Sequence, residues 1–211
     1  QTMQTDASLR LQQAASTMLP SVAIMNGIEG SILALSGVAD VKGYENDTDA
    51  TDANGIPANS IAIIVEGGDA QQIATVIANK KSMGVPTYGT TTETVTDSSG
   101  AQRTINFFRP TETNIYVKLT LKALANYTTT IGQSAAQGIA DYLSALDIGS
   151  MIYVTRLYRA ATLDDANGGL TYDILSIEIG RDASSVAASN LQLAFNERPI
   201  SSVSNVTVSA S

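Results

Sequence analysis

The run Ser60-Ile61-Ala62-Ile63-Ile64-Val65-Glu66 constrains this chain most strongly. It is almost continuously apolar, rich in β-branched residues, and short. Such a run predicts a buried strand. It leads directly into Gly67-Gly68-Asp69. The glycines break the strand, and Asp69 is a natural N-cap for a helix over 70–82, because its carboxylate can accept from a free first-turn N–H. Ile73, Ala74, Val76 and Ile77 would form the buried face of that helix, with Gly84 just past its end. Upstream, Val38 to Glu45 reads as a second strand. Asn54-Gly55 tolerates positive φ and Pro57 fixes the exit, so residues 46–59 form a polar loop. The stretch Glu45–Asp69 therefore predicts an antiparallel hairpin feeding a capped helix.

Before this stretch, a helix is expected over 6–19, capped by Asp6 or Ser8 and stopped at Pro20. A second is expected over 27–36, where Ile28, Ile32 and Leu35 share a face and Gly37 follows. After it, residues 93–97 and 101–108 read as a hairpin around Asp97-Ser98-Ser99-Gly100. Residues 113–123 alternate cleanly: Ile115, Val117, Leu119 and Leu121 against Tyr116, Lys118, Thr120 and Lys122. That is a half-buried strand. A long helix over 131–146 follows a cap at Thr128–Thr130, and a shorter one is expected over 150–162. Strands are expected over 170–179, where Leu175, Ile177 and Ile179 alternate, over 191–195 and over 203–208, with Pro199 between the last two. The fold class is α+β. Two lobes are expected, 1–126 and 127–211, each a helix pair packed with a small, mainly antiparallel sheet.

Composition narrows the chemistry. The chain has no Cys and no His, which removes disulfides, thiolate metal sites, Cys nucleophiles and imidazole acid–base catalysis. Ser and Thr therefore lack their usual activating base. Lys81 and Ser82 are adjacent, and neighbours on a helix do not face each other. Lys80-Lys81 reads as a helix C-terminus complementing the dipole. The net charge of −8 argues against nucleic acid or anionic lipid as the main partner. No run reaches the roughly 20 apolar residues of a membrane-spanning helix. Charged residues are only 15% of the chain, against about 25% in ordinary soluble domains, and a surface of small polar residues suits a subunit of an assembly. The chain begins at Gln1, so a further N-terminal region is expected.

The central stretch invites three site chemistries. Asp47, Asp49 and Asp52 stand near Asn54-Gly55, which invites a calcium reading. The EF-hand spacing fails, because Thr51 holds the third ligand position and Asp52 the position of the invariant Gly. The same acids could serve as a glycosidase pair, but the chain has no Trp and few aromatics to platform a sugar. Glu66-Gly67-Gly68-Asp69 opens a helix, as phosphate cradles do, yet Asp69 would stand where the phosphate should sit. No catalytic, metal-binding or cofactor-binding residue is assigned. A cation- or glycan-binding module using the Asp47–Asp52 loop is the alternative.

A longer series points to a family. Glu45-Asn46, Thr48-Asp49 and Asp52-Ala53-Asn54-Gly55-Ile56-Pro57 are followed by Ser60-Ile61, Val65-Glu66-Gly67-Gly68-Asp69 and Ile73-Ala74. Then come Lys81-Ser82-Met83-Gly84, Thr87-Tyr88-Gly89, Ile105-Asn106-Phe107 and Arg109-Pro110-Thr111. In this order the series resembles the phage baseplate J-like family of contractile-tail proteins, over residues 41–120. The resemblance implies a structural, non-enzymatic wedge subunit in the virion baseplate. It also implies contacts with other wedge and hub proteins, homo-oligomers in the assembled ring, and no nucleic acid, membrane or small-molecule substrate. The loops at 46–59 and 87–100 would then be the contact surfaces.

Overall fold

The computed structural model describes residues 24–97 and 99–211. The helix expected over 6–19 lies outside them. The fold is α+β, and the chain divides after Pro110 into two compact units.

The first unit holds α1 (Ile24–Leu33), β1 (Val38–Asn46), β2 (Ser60–Gly67), α2 (Ala70–Lys80), β3 (Thr87–Tyr88), β4 (Thr91–Thr96) and β5 (Gln102–Phe107). β1 and β2 pair antiparallel, with Val41 opposite Val65 and Asn46 opposite Ser60, and β3 adds to β2 in parallel. β4 and β5 form a separate hairpin. Every residue from Ser60 to Val65 is buried, as the unbroken apolar run required. Ile61, Ile63 and Val65 pack with Ile28 and Ile32 of α1, Ile73 and Ile77 of α2, and Ile105 and Phe107 of β5. Asp69 caps α2 as expected: its backbone is extended and its side chain accepts from the Gln72 N–H at 2.9 Å.

The second unit begins with β6 (Thr111–Asn114) and β7 (Tyr116–Ala123), followed by α3 (Thr129–Ser144), β8 (Met151–Ile152) and α4 (Val154–Ala161). Two 3₁₀ turns lead into β9 (Tyr172–Asp182), β10 (Ser185–Ala187), β11 (Leu191–Gln192), β12 (Glu197–Ile200) and β13 (Val206–Ala210). A four-stranded sheet has the order β10-β9-β7-β13, with β7 antiparallel to β9 and parallel to β13. Its inner face, Val117, Leu119, Leu121, Ile177 and Ile179, packs on Ala135, Ile139 and Leu143 of α3 and Leu157 of α4. The helices approach closely at Gly138, where an added Cβ would stand 2.4 Å from the Ala160 carbonyl oxygen.

Five expectations change. The division falls after Pro110 rather than near 126, because β6 and β7 pair with β12, β9 and β13, all from the C-terminal half. Alternation marks a strand but not its partners. The expected strand over 113–123 is two strands in different sheets, split at Ile115. The helix expected from 150 starts at Val154, since Met151 and Ile152 pair with β11 instead. In β9, Thr120 faces Ser176 while Leu121 faces Ile174. Leu175 is thus the extra residue of a bulge, and it is 54% exposed. Its alternation with Ile177 and Ile179 is broken by the bulge, so the inward positions shift from Tyr172 and Ile174 to Ile177 and Ile179. Pro199 lies within β12, whose two-stranded pairing with β6 leaves an edge that tolerates a missing N–H.

Candidate functional site

The loop joining β1 to β2 carries the acids that sequence reading singled out. Asn46, 3% exposed at the end of β1, organises its first half. Its amide nitrogen donates to the carbonyls of Ala50 and Ile56, each at 2.7 Å, and its amide oxygen accepts from the Thr48 N–H and hydroxyl. Asp52 organises the second half. One carboxylate oxygen accepts from the N–H groups of Asn54 at 2.9 Å and Ile56 at 2.8 Å, a side-chain-closed turn. Gly55 takes φ of +77° there, and Ile56 is fully buried. Asp52 therefore serves the backbone of its own loop. Asp47 and Asp49 are exposed. Among the described residues, no group of three or more acidic, His or Cys side chains is placed to hold a metal ion.

The Gly67-Gly68 break has a partner that the sequence did not reveal. Both glycines take positive φ, and Gly68 N–H donates to the Gly37 carbonyl at 2.8 Å. An added Cβ on Gly67 would stand 2.2 Å from that same oxygen, so only glycine fits. The Arg109 guanidinium donates to the carbonyls of Val65, Gly67 and Gly68 and lies 5.2 Å from the centre of the Phe107 ring. The turn that resembled a phosphate cradle thus has its N–H end capped by Asp69 and its carbonyl end clamped by Arg109.

Thr87, Gly89 and Asn106 of the signature have similar roles. Thr87 accepts from Asn106 N–H through its hydroxyl and from the Asn106 side chain through its carbonyl. Gly89 lies so close to Phe107 that a Cβ would stand 2.2 Å from its carbonyl carbon. In the turn at 97–101, Asp97 accepts from Ser99, Ala101 and Arg103. The Ser99 hydroxyl, then Arg103, hold its carboxyl well below the usual carboxylate range. Lys81 donates to the Val85 carbonyl at 2.8 Å. Burial, and next the charge of Arg103, depress its pKa. Lys81 and Ser82 border a cleft of about 350 Å³ whose other walls include Ile24, Ile28, Ile61 and Glu45.

Two features were missed by sequence reasoning. Glu29 of α1 is 8% exposed, and its carboxylate accepts from the Gly43 N–H at 2.6 Å. Burial raises its pKa, while the Gly43 bond and Lys42 act in the opposite sense. A lone Glu in a helix gives no sign of burial. The other feature is a pair of exposed arginines on α4, Arg156 and Arg159, beside Tyr142 of α3. Their i, i+3 spacing after Tyr153 was a readable signal. Compared with protein-family models and with curated proteins, the chain matches none of them.

Proposed function

We propose that this chain is a structural subunit of the baseplate wedge of a contractile-tail phage or related injection machine, acting through protein–protein contacts rather than catalysis. The carrying observation is how the signature series is used. Asn46, Asp52, Gly67-Gly68, Asp69, Thr87, Gly89, Asn106 and Arg109 all fall in one unit, and each holds its backbone in place. A series resembling a structural family is here spent on building a scaffold. The hairpin loop is fixed from within by Asn46 and Asp52, so its tip is a preorganised contact surface, which lowers the ordering cost of association. The low charge content fits wet contacts that rearrange when a tail is triggered.

The partners in this reading are other wedge and hub proteins and further copies of the chain, with the virion baseplate as the location. Cross-linking of purified particles followed by mass spectrometry tests it. Links from this chain to wedge and hub proteins are expected. Links confined to capsid, sheath or tube proteins would refute the reading.

A further inference from the structure

α4 has two faces: Val154, Leu157 and Ala161 are buried, while Arg156 and Arg159 are exposed. These arginines border an open groove of about 700 Å³ with Gly138, Tyr142 and Ala160. The Arg156 guanidinium lies 4.8 Å from the centre of the Tyr153 ring. Arg103, Arg109, Arg181 and Arg198 each donate to a protein oxygen. Arg156 and Arg159 donate to none among the described residues. Asp141, exposed on α3, is engaged by the Gln137 side chain at 2.6 Å. Arginines with open donors beside tyrosines are the composition of an interface anchor, and a carboxylate pair is the chemistry that satisfies them.

The same chain presents that chemistry. Asp47 and Asp49 are exposed at the tip of the β1–β2 loop, and among the described residues their carboxylates accept no hydrogen bond. Their loop is held by Asn46 and Asp52. We propose that the α3–α4 groove of one copy, through Arg156 and Arg159, binds the Asp47–Asp49 loop of a second copy. This contact is heterologous, the kind that propagates into rings or open chains. It rests on the wedge reading only in that neighbouring copies are expected there. Two chains of net charge −8 repel at long range, so the attraction comes from local complementarity.

Charge reversal in the chain of residues 1–211 tests this by sedimentation velocity at about 0.15 M salt. The wild type is expected to self-associate by about 1 mM, the weak end of specific binding. Arg156→Glu/Arg159→Glu and Asp47→Lys/Asp49→Lys are each expected to weaken association about 10-fold or more. An equimolar mixture of the two variants is expected to restore it, since each then offers the other a complementary pair. Circular dichroism confirms folding, and Arg156→Gln/Arg159→Gln replaces the reversal if that variant unfolds. A wild type that stays monomeric, reversals without effect, or a mixture that stays monomeric overturns the proposal. The wedge reading fails separately, when the chain is found outside the baseplate.

Discussion

Asn46 and Asp52 are the side chains on which the hairpin loop depends. Asn46→Ala removes four hydrogen bonds around a buried amide and should cost about 2–3 kcal/mol. Asp52→Ala opens its turn and should cost about 1 kcal/mol, while Asp47→Ala and Asp49→Ala should stay within about 0.5 kcal/mol. Urea denaturation checks all four. In the cation reading, calcium would raise the melting temperature, and the loss of Asp49 and Asp52 would abolish the rise. The scaffold account expects no rise with calcium. Glu29 gives a pH signature. Its folded pKa is raised above its ordinary 4.5, so its contribution is fully present below pH 4.5 and is lost as pH rises through the raised value. Glu29→Gln, which keeps an acceptor for Gly43, should remove that loss. Stability measured between pH 4 and pH 8 reads it out, and an unchanged slope in the variant would count against the buried-acid account.

At the scale of elements, the legible parts were those whose cause is local. The buried run of β2, its glycine stop and the Asp69 cap act within a dozen residues, and all three appear in the fold. β9 was legible as a strand but not in phase. Ile174, Leu175, Ile177 and Ile179 put apolar residues at both parities, and only pairing with β7 reveals that Leu175 is the bulge. Accordingly, Leu175→Ser should change stability by no more than about 0.5 kcal/mol, whereas Ile177→Ala should cost about 2–4 kcal/mol. Equal costs would place the bulge elsewhere. The parallel pairing of β6 with β12 joins Thr111 to Glu197 across the second unit, beyond the reach of any local pattern. Arg109 was visible in the signature, but the Gly67 and Gly68 carbonyls it binds lie about forty residues away. Arg109→Lys should destabilise the first unit nearly as much as Arg109→Ala, because one ammonium cannot reproduce the planar fork. Thermal melting of the two variants compares them.

At the scale of the molecule, both units hold carboxylates whose contacts acid breaks, and the first also holds the buried Glu29. In the second unit, the Arg181 guanidinium bonds Glu197 and depresses its pKa, and Ser184 bonds and depresses Asp182. Their contributions are present above the ordinary values, 4.5 for Glu197 and 3.8 for Asp182, and are lost as pH falls through the lower folded values. Acid therefore weakens these contacts of the second unit, as it weakens the Asp97 turn of the first, while it relieves the burial cost of the Glu29 carboxylate. The candidate site was legible as a place but not in its internal contacts. Spacing identified the acidic loop, but only the fold shows Asp52 and Asn46 turned inward to their own backbone, and only the fold sets Arg156 and Arg159 in one groove with Gly138 and Tyr142 of α3. The central claim is that this scaffold serves a baseplate wedge. Cryo-microscopy of intact tails tests it most directly: the account predicts density for both units in repeated copies within the baseplate ring, and density for this chain only in the sheath, tube or capsid would contradict it.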